Sequence, residues 1–244
     1  MRYKPFAMIA WLKPLAFIAC LVPFAQLAYK AYSGDLGVNP IETITHFTGD
    51  WTLIFLLVTL SVTPLRKISG WNELIKFRRM LGLFAFFYAV LHFSTYIVLD
   101  HFFDFQRIAK DIVKRPYVTV GFTGFMLMVP LAMTSTAAMI RRLGKRWQQL
   151  HRLVYLAAIA GVIHFYWLVK ADIRRPLQYA TVLAILLGYR IVTKFLPPIS
   201  GRLARKASPA PSPSSFSSAA KTKAPEYVNS QKMKLTTKNA KVTN

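Results

Sequence analysis

Two histidines lie within long apolar segments of the sequence. His92 falls in LGLFAFFYAVLHFSTYIVLD and His164 in AIAGVIHFYWL. An ionisable side chain at membrane depth indicates a functional site, and the plainer interpretation is a histidine hydrogen-bonded to a neighbouring helix. Two neutral imidazoles that face each other from separate helices can occupy both axial positions of a haem iron. The pair therefore predicts a haem site, with helix packing as the alternative.

A third histidine and two arginines precede this pair along the same two segments. His151 comes thirteen residues before His164, which puts the two about 140° apart on an ideal helix. Only a tilted or distorted helix would turn both rings inward. Arg79 and Arg78 come thirteen and fourteen residues before His92. Arginine only donates hydrogen bonds, so it cannot ligate iron, but it can clamp a propionate or a phosphate.

Membrane-spanning helices are needed to position these side chains. The chain has 244 residues, 54% of them hydrophobic, and a mean hydropathy of +0.35. A helix needs about 20 apolar residues to cross a bilayer. The sequence offers six such blocks, at residues 6–29, 51–62, 81–99, 118–140, 150–169 and 177–196. The second reaches spanning length only if residues 46–50 and 63–65 are included. We predict an all-α fold, a polytopic membrane bundle of six transmembrane helices.

The net charge of +23 is unevenly placed along this predicted bundle. The loops between helices two and three and between helices four and five are strongly basic, as are both ends of the chain, and cytoplasmic segments carry the excess of Lys and Arg. We therefore expect both termini in the cytoplasm and no nucleic-acid partner. Helices three and five then run outwards, and His92 and His164 can share a level in the outer half of the bilayer. His46 and His101 lie near loop ends on the outer side and carry no functional prediction.

Composition divides the chain into two parts. Residues 1–197 are predicted to form one transmembrane domain, and residues 198–244, rich in Pro, Ser, Ala and Lys, a disordered basic cytoplasmic tail. The single cysteine, Cys20, cannot pair within the chain, and the absence of a C-x-x-C-H motif excludes covalent haem attachment. The sequence contains no glycine-rich nucleotide-binding motif.

Four stretches carry a resemblance to a known family. They are TGDWTLIFLLVTLSVTPLR (48–66), RRMLGLFAFFYAVLHFSTYIVLD (78–100), KRPYVTVGFTGFMLMVPLAMTS (114–135) and LGKRWQQLHRLVYLAAIAGVIHFYW (143–167). Together they resemble the haem-binding membrane subunit of the bacterial protein-methionine-sulfoxide reductase system, the MsrQ or YedZ family. That family belongs to the ferric-reductase-like transmembrane group. The resemblance covers most of residues 1–197.

The resemblance implies an electron-transfer role in the bacterial inner membrane. A multi-pass subunit of this family receives electrons from the quinone pool or a cytoplasmic flavin reductase and passes them through haem b to a periplasmic partner. That partner, a molybdopterin-dependent catalytic subunit, reduces methionine sulfoxide in oxidised periplasmic proteins. The chain itself would then have no substrate chemistry of its own. FMN is also associated with the family.

The resemblance also implies site residues. The family's haem histidines map onto His92, His151 and His164. Members of the wider group with two haems carry two histidines on each of two helices, and Arg78 stands where one of these would be. One haem is therefore expected, and a second is left open. His151 is expected at the cytoplasmic entry for electrons, as a ligand or as part of a flavin or quinone site. Arg78 and Arg79 beside it would bind a haem propionate, a flavin phosphate or a quinone headgroup.

Two other functions fit parts of the same pattern. A stand-alone transmembrane ferric or metal reductase would share the fold, but this sequence carries no flavin or nicotinamide domain to supply reducing equivalents. A proton-coupled transporter would use intramembrane histidines as a relay, but helices one, two and six offer few ionisable candidates. Colour separates these classes, because a purified haem protein is red-brown and a transporter is not.

Overall fold

The computed structural model describes residues 5–169 and 172–195, and the regular structure within these ranges is helical. The α-helices of the described chain are α1 (Pro5–Tyr32), α2 (Pro40–Ser69), α3 (Ile75–Thr95), α4 (Phe105–Lys114), α5 (Pro116–Met133), α6 (Ala137–Leu143), α7 (Lys145–Leu150), α8 (Leu153–Leu168) and α9 (Arg174–Phe195). A 3₁₀ turn, Asn72–Leu74, leads into α3, and a π-helical turn, Tyr96–Asp100, continues it. The predicted tail, residues 198–244, lies outside the described residues.

Six helical segments of the described chain are long and apolar enough to cross a membrane. They comprise α1, α2, α3 with its flanking turns, α5, α7 with α8, and α9, which confirms the predicted all-α fold with six spanning helices. The second is 30 residues long. The Asn39 side chain caps its first turn through the N–H of Glu42, and Gly70, with φ of 71°, ends it in the left-handed conformation. Residues 46–50 and 63–65, which the second apolar block needs to reach spanning length, therefore both lie within α2.

Two connections differ from the prediction. Helix α4 forms between the third and fourth apolar blocks, at residues 81–99 and 118–140, where the sequence predicts a loop. Asp104 caps its first turn, and apolar residues at helical spacing bury one side of it, with Ile108 the most buried. Helix α5 ends at Met133 instead of continuing to residue 140, because the chain turns there and the Thr136 hydroxyl caps the separate helix α6.

Two helix pairs, α2 with α3 and α5 with α8, form the centre of the bundle. Phe55 of α2 stacks on Tyr88 of α3 with 5.2 Å between ring centroids, and Tyr88 is fully buried. Helices α5 and α8 approach closely because a small residue faces a small residue. A Cβ placed on Gly124 would lie 3.3 Å from the Cβ of Ala160. His92 lies on α3 of one pair, and His164 lies on α8 of the other.

Pro64 interrupts the hydrogen bonding of α2, because proline has no N–H to donate to the carbonyl of Leu60 four residues earlier. Arg190 of α9 supplies a donor: its Nη2 donates to the Leu60 carbonyl oxygen at 2.9 Å. The same guanidinium donates to the Tyr155 hydroxyl of α8 and lies over that ring, 4.9 Å from its centroid. One side chain thus satisfies the interrupted helix and ties three helices together.

A second interruption lies in α1, next to Pro23. The hydroxyl of Tyr88 donates to the carbonyl of Cys20 at 2.9 Å and accepts the backbone N–H of Phe24 at 3.0 Å. In a regular helix these two backbone groups, four residues apart, bond to each other. The Tyr88 hydroxyl is therefore inserted into the backbone ladder of α1, and it anchors α1 to α3.

Candidate functional site

A cavity of about 250 Å³ lies between α2, α3, α5 and α8, and both membrane histidines, His92 and His164, line it. Its apolar wall includes Leu53, Leu56, Ala89, Phe93, Phe122, Phe125, Met128, Ala157, Phe165 and Leu168. Ionisable side chains also line it, namely His46, Asp50, Asp100 and Arg115. Such a lining suits a largely apolar ligand with a few charged groups.

The rings of His92 and His164 lie close together in this cavity. Their centroids are 6.2 Å apart and their planes are inclined at 77°. An imidazole nitrogen binds a transition metal at about 2.0–2.1 Å, so two imidazoles on opposite sides of one iron have centroids roughly 6 Å apart. The two rings therefore stand at the separation that a shared haem iron requires.

Backbone carbonyls fix the orientation of both rings. Nδ1 of His92 donates to the carbonyl oxygen of Thr45 at 2.9 Å, and Nδ1 of His164 donates to that of Tyr117 at 2.7 Å. Because a carbonyl oxygen can only accept, the proton of each neutral ring is on Nδ1 and the lone pair is on Nε2. Metal-binding histidines adopt this arrangement, with the second ring nitrogen hydrogen-bonded by the protein. The residues present therefore fit a haem with two histidine ligands.

Two glycines make room for these rings. A Cβ on Gly121 of α5 would lie 2.6 Å from Nδ1 of His164, and one on Gly49 of α2 would lie 3.2 Å from Nδ1 of His92. A side chain at position 121 would push the His164 ring away from its carbonyl partner. The sequence singles out neither glycine, because their importance follows from how the helices pair, which the apolar pattern does not reveal.

His151 lies in a turn between the end of α7 and the start of α8. His151 and His164 are therefore not on one continuous helix, and the angle of about 140° expected for an ideal helix does not apply to them. Nδ1 of His151 hydrogen-bonds to the Trp147 carbonyl at 3.1 Å, the two rings stack at 3.9 Å between centroids, and Nε2 lies 3.5 Å from the Ser135 hydroxyl. Arg78 is close enough for its charge to act on His151. The structure therefore places these two predicted residues within electrostatic range of each other.

Arg79 lies in different surroundings from Arg78. It lines a separate cleft between α1 and α3 together with Lys13 and Lys76, since adjacent residues on a helix point about 100° apart. Arg190, to which the apolar pattern of the sequence draws no attention, is within electrostatic range of Arg78. Arg78 and Arg79, both predicted to lie beside His151, are therefore in two different basic sites.

A series of polar contacts leads from α4 to the support of His164. His101 is only 8% exposed, and its Nε2 lies 3.4 Å from Asp111. Asp111 pairs with Arg115 at 3.4 Å, and Arg115 donates to the Tyr117 hydroxyl at 3.2 Å, a bond that raises the pKa of Arg115 above its usual value. The carbonyl of Tyr117 in turn holds His164. His101 is thus connected to the site, and the helical spacing in FQRIAKDIVK is the signal that could reveal α4.

Comparison with known proteins identifies close relatives. A model of the ferric reductase like transmembrane component family matches residues 48–162. A protein of Herminiimonas arsenicoxydans is 55% identical over 183 residues, which cover 74% of this chain and 84% of that protein. Proteins of Azospira oryzae and Rhodospirillum rubrum are 57% and 55% identical, over 68% and 69% of this chain and 72% and 82% of their own lengths. All three are named protein-methionine-sulfoxide reductase heme-binding subunit MsrQ.

Proposed function

The chain belongs to the MsrQ family of haem-binding subunits of protein-methionine-sulfoxide reductase, and on this basis we propose that it carries electrons through a haem b held by His92 and His164. It is a multi-pass protein of the bacterial inner membrane, as its six apolar helices and its family indicate. Electrons arrive from the quinone pool or a cytoplasmic flavin reductase. They leave to a periplasmic molybdopterin-dependent subunit, which reduces methionine sulfoxide in oxidised periplasmic proteins.

The geometry of the histidine pair carries this proposal. Histidines that merely pack helices together would also hydrogen-bond to a neighbouring helix, and both rings do so through Nδ1. The packing interpretation does not explain why His92 and His164 line one cavity with 6.2 Å between their centroids and a lone pair on each Nε2. Ligation of a common iron accounts for all three features.

When bound, the haem supplies a one-electron carrier, and the chain supplies its surroundings. The hydrogen bonds from Nδ1 to the carbonyls of Thr45 and Tyr117 fix the ring planes and increase the basicity of Nε2. The apolar wall of the cavity limits access of water, which is one of the factors that set the reduction potential of a haem. The role of these residues is to hold and orient a cofactor.

We place the entry of electrons at the site formed by Arg78, His151 and Arg190. Arg78 is within electrostatic range of both the His151 imidazole, which stacks on Trp147, and the Arg190 guanidinium. Such a basic site suits an anionic or polar edge, which a haem propionate, an FMN phosphate or a quinone headgroup provides. Arg78 cannot ligate iron, so we propose a single bis-histidine haem. The basic loops favour the cytoplasmic side for this site and for both termini.

Replacing the two ligands tests the proposed haem site. We expect His92→Ala and His164→Ala each to abolish the low-spin haem spectrum of the purified protein, because one axial nitrogen is then missing. Val90→Ala and Ile163→Ala are matched controls, since both residues lie on the same two helices and are 37% exposed. They should retain the spectrum. Near-normal low-spin haem in either histidine variant would refute the pairing, and a colourless wild-type protein would favour the transporter alternative.

The same preparations test the entry site. Arg78→Gln should leave the haem spectrum intact but slow reduction of the haem by its physiological donor at least about tenfold, an effect of about 1.4 kcal/mol on the barrier. Arg79→Gln is the matched control, because it removes the same charge from the neighbouring position in a different cleft. Equal donor-driven rates in the wild type and in Arg78→Gln would show that Arg78 has no part in electron entry and only contributes to the cytoplasmic excess of basic residues.

A further inference from the structure

A cleft of about 490 Å³ lies between α1 and α3, apart from the histidine cavity. Its lining consists of Lys13, Phe17, Leu21, Lys76, Arg79, Met80, Leu83, Phe84 and Phe87. We call it the α1–α3 cleft. Its floor is aromatic, because Phe17 and Phe84 meet edge to face with 5.1 Å between ring centroids and Phe84 and Phe87 do so at 6.3 Å.

The two helices present the same order of residue types to this cleft. On α1, Lys13 is followed by Phe17 and Leu21, and on α3, Arg79 is followed by Leu83 and Phe87. Residues four apart form a ridge along a helix. Each ridge therefore starts with a cation and continues as an apolar surface for eight residues, about 12 Å at the rise of an α-helix.

The charged end of the cleft is positive. Lys13, Lys76 and Arg79 line it, and Lys76 forms an ion pair with the carboxylate of Glu73. No ion pair of Lys13 or Arg79 is found in the described chain. Like charges that line one cleft repel one another, and a bound anion relieves the repulsion. Basic pockets between membrane helices on the cytoplasmic side bind the headgroups of anionic lipids in this way.

The apolar end discriminates between possible ligands. None of the described lining residues is a serine, threonine, asparagine, glutamine or tyrosine. A flavin ring or a quinone headgroup placed there would leave its own polar atoms without hydrogen-bond partners, which disfavours binding. An acyl chain has no such atoms. Phe17 and Leu83 are 48% and 40% exposed, so the groove opens outwards, where a lipid can enter from the side.

We propose that the α1–α3 cleft is a binding site for an anionic phospholipid. The phosphate lies between Lys13 and Arg79, with Lys76 nearby, and an acyl chain follows Phe17 and Leu83 along the two ridges. This site is separate from the one at Arg78 and His151, and its occupancy does not depend on the haem. Bound lipid would hold α1 against α3, in addition to the hydrogen bonds of the Tyr88 hydroxyl to α1.

Thermal unfolding of the full-length protein in lipid nanodiscs tests this proposal. In discs of phosphatidylcholine, stepwise replacement by phosphatidylglycerol with the same acyl chains should raise the unfolding midpoint of the wild type by at least about 2 °C, because a lipid that binds the folded protein stabilises it. Lys13→Gln with Arg79→Gln should abolish this rise. Lys67→Gln with Arg142→Gln is the matched control, because it removes two exposed basic charges outside the cleft, and it should keep the rise.

Further arms separate the lipid from other sources of phosphate. Inorganic phosphate or FMN, added to phosphatidylcholine discs, should leave the midpoint unchanged. A full rise with either one would overturn the acyl-chain assignment. A rise that persists in Lys13→Gln with Arg79→Gln, or that is lost equally in the control, would overturn the site itself. Lys13→Arg with Arg79→Lys keeps both charges and should retain the rise. It thereby shows that Lys13→Gln with Arg79→Gln loses the rise through the missing charges and not through poor folding.

Discussion

The imidazole of His164 depends on a neighbouring residue that has no side chain. A Cβ on Gly121 would approach Nδ1 of His164 to 2.6 Å, closer than packed atoms allow, so the ring or helix α5 would have to move. The corresponding distance from Gly49 to His92 is 3.2 Å, which a small shift of the ring relieves. The His92 side of the proposed haem site should therefore tolerate an added methyl group better than the His164 side.

A graded series of alanine variants follows from these distances. Gly121→Ala should lose most of the bound haem, because the displaced ring gives up its hydrogen bond to Tyr117. Gly49→Ala should lose only part of it. Gly188→Ala is the control: a Cβ there meets nothing within 4 Å, and alanine is better than glycine within a helix by about 0.5–1 kcal/mol. Haem per protein, measured after purification, gives the order. Full haem content in Gly121→Ala would show that His164 does not need this support.

Which histidines belong to the site could be predicted from the sequence, but the groups that surround and orient them could not. An ionisable residue in an apolar block is visible in the sequence, so His92 and His164 stand out. The carbonyls that orient them belong to residues 47 positions away in each case. Such contacts depend on the pairing of helices. Arg78 and Arg79 look equivalent in the sequence for the same reason, although the structure places them in different sites.

At the scale of the helices, Arg190 joins α9 to α2 and α8 by completing the backbone that Pro64 interrupts. We expect Arg190→Met to lower the midpoint of thermal unfolding, because it leaves the Leu60 carbonyl without its donor, at a cost of about 1–3 kcal/mol. The same change should cost less in a Pro64→Ala background, where residue 64 regains an N–H that can bond to Leu60. Four midpoints, from the wild type, both single variants and the double variant, measure this coupling.

Ile191→Met is a suitable control for the Arg190 variant, because Ile191 is adjacent on α9 and 59% exposed. It should leave the midpoint near that of the wild type. An equal loss of stability from Arg190→Met with Pro64 present or absent would mean that Arg190 does not act through the Leu60 carbonyl. The contact with the Tyr155 ring would then be its main contribution.

The existence of the spanning helices could be predicted because crossing a bilayer demands a long apolar block. Helix α4 cannot be found in this way, since it is short and amphipathic and so forms no long apolar block. The ends of α2 and α5 depend on caps and turns at Asn39, Gly70 and Thr136. Local hydrogen bonds of this kind shift a boundary by several residues without changing the apolar pattern.

For the molecule as a whole, the described chain separates the histidine cavity from the site at Arg78 and His151 along the direction of α8. His164 lies eleven residues beyond Leu153, the first residue of α8, which is roughly 17 Å along a helix axis. Two sites at different depths are what electron transfer across a membrane requires. The uneven distribution of basic residues favours the Arg78 site as the cytoplasmic one.

Ligation of one iron by both His92 and His164 is tested most directly by electron paramagnetic resonance of the oxidised wild-type protein. The two ring planes are inclined at 77°. Imidazoles that are nearly perpendicular donate to different iron d orbitals and keep these orbitals close in energy, so we expect a strongly anisotropic low-spin ferric signal. A ferric signal that is wholly high-spin in the wild type would show that at least one of the two histidines does not bind the iron.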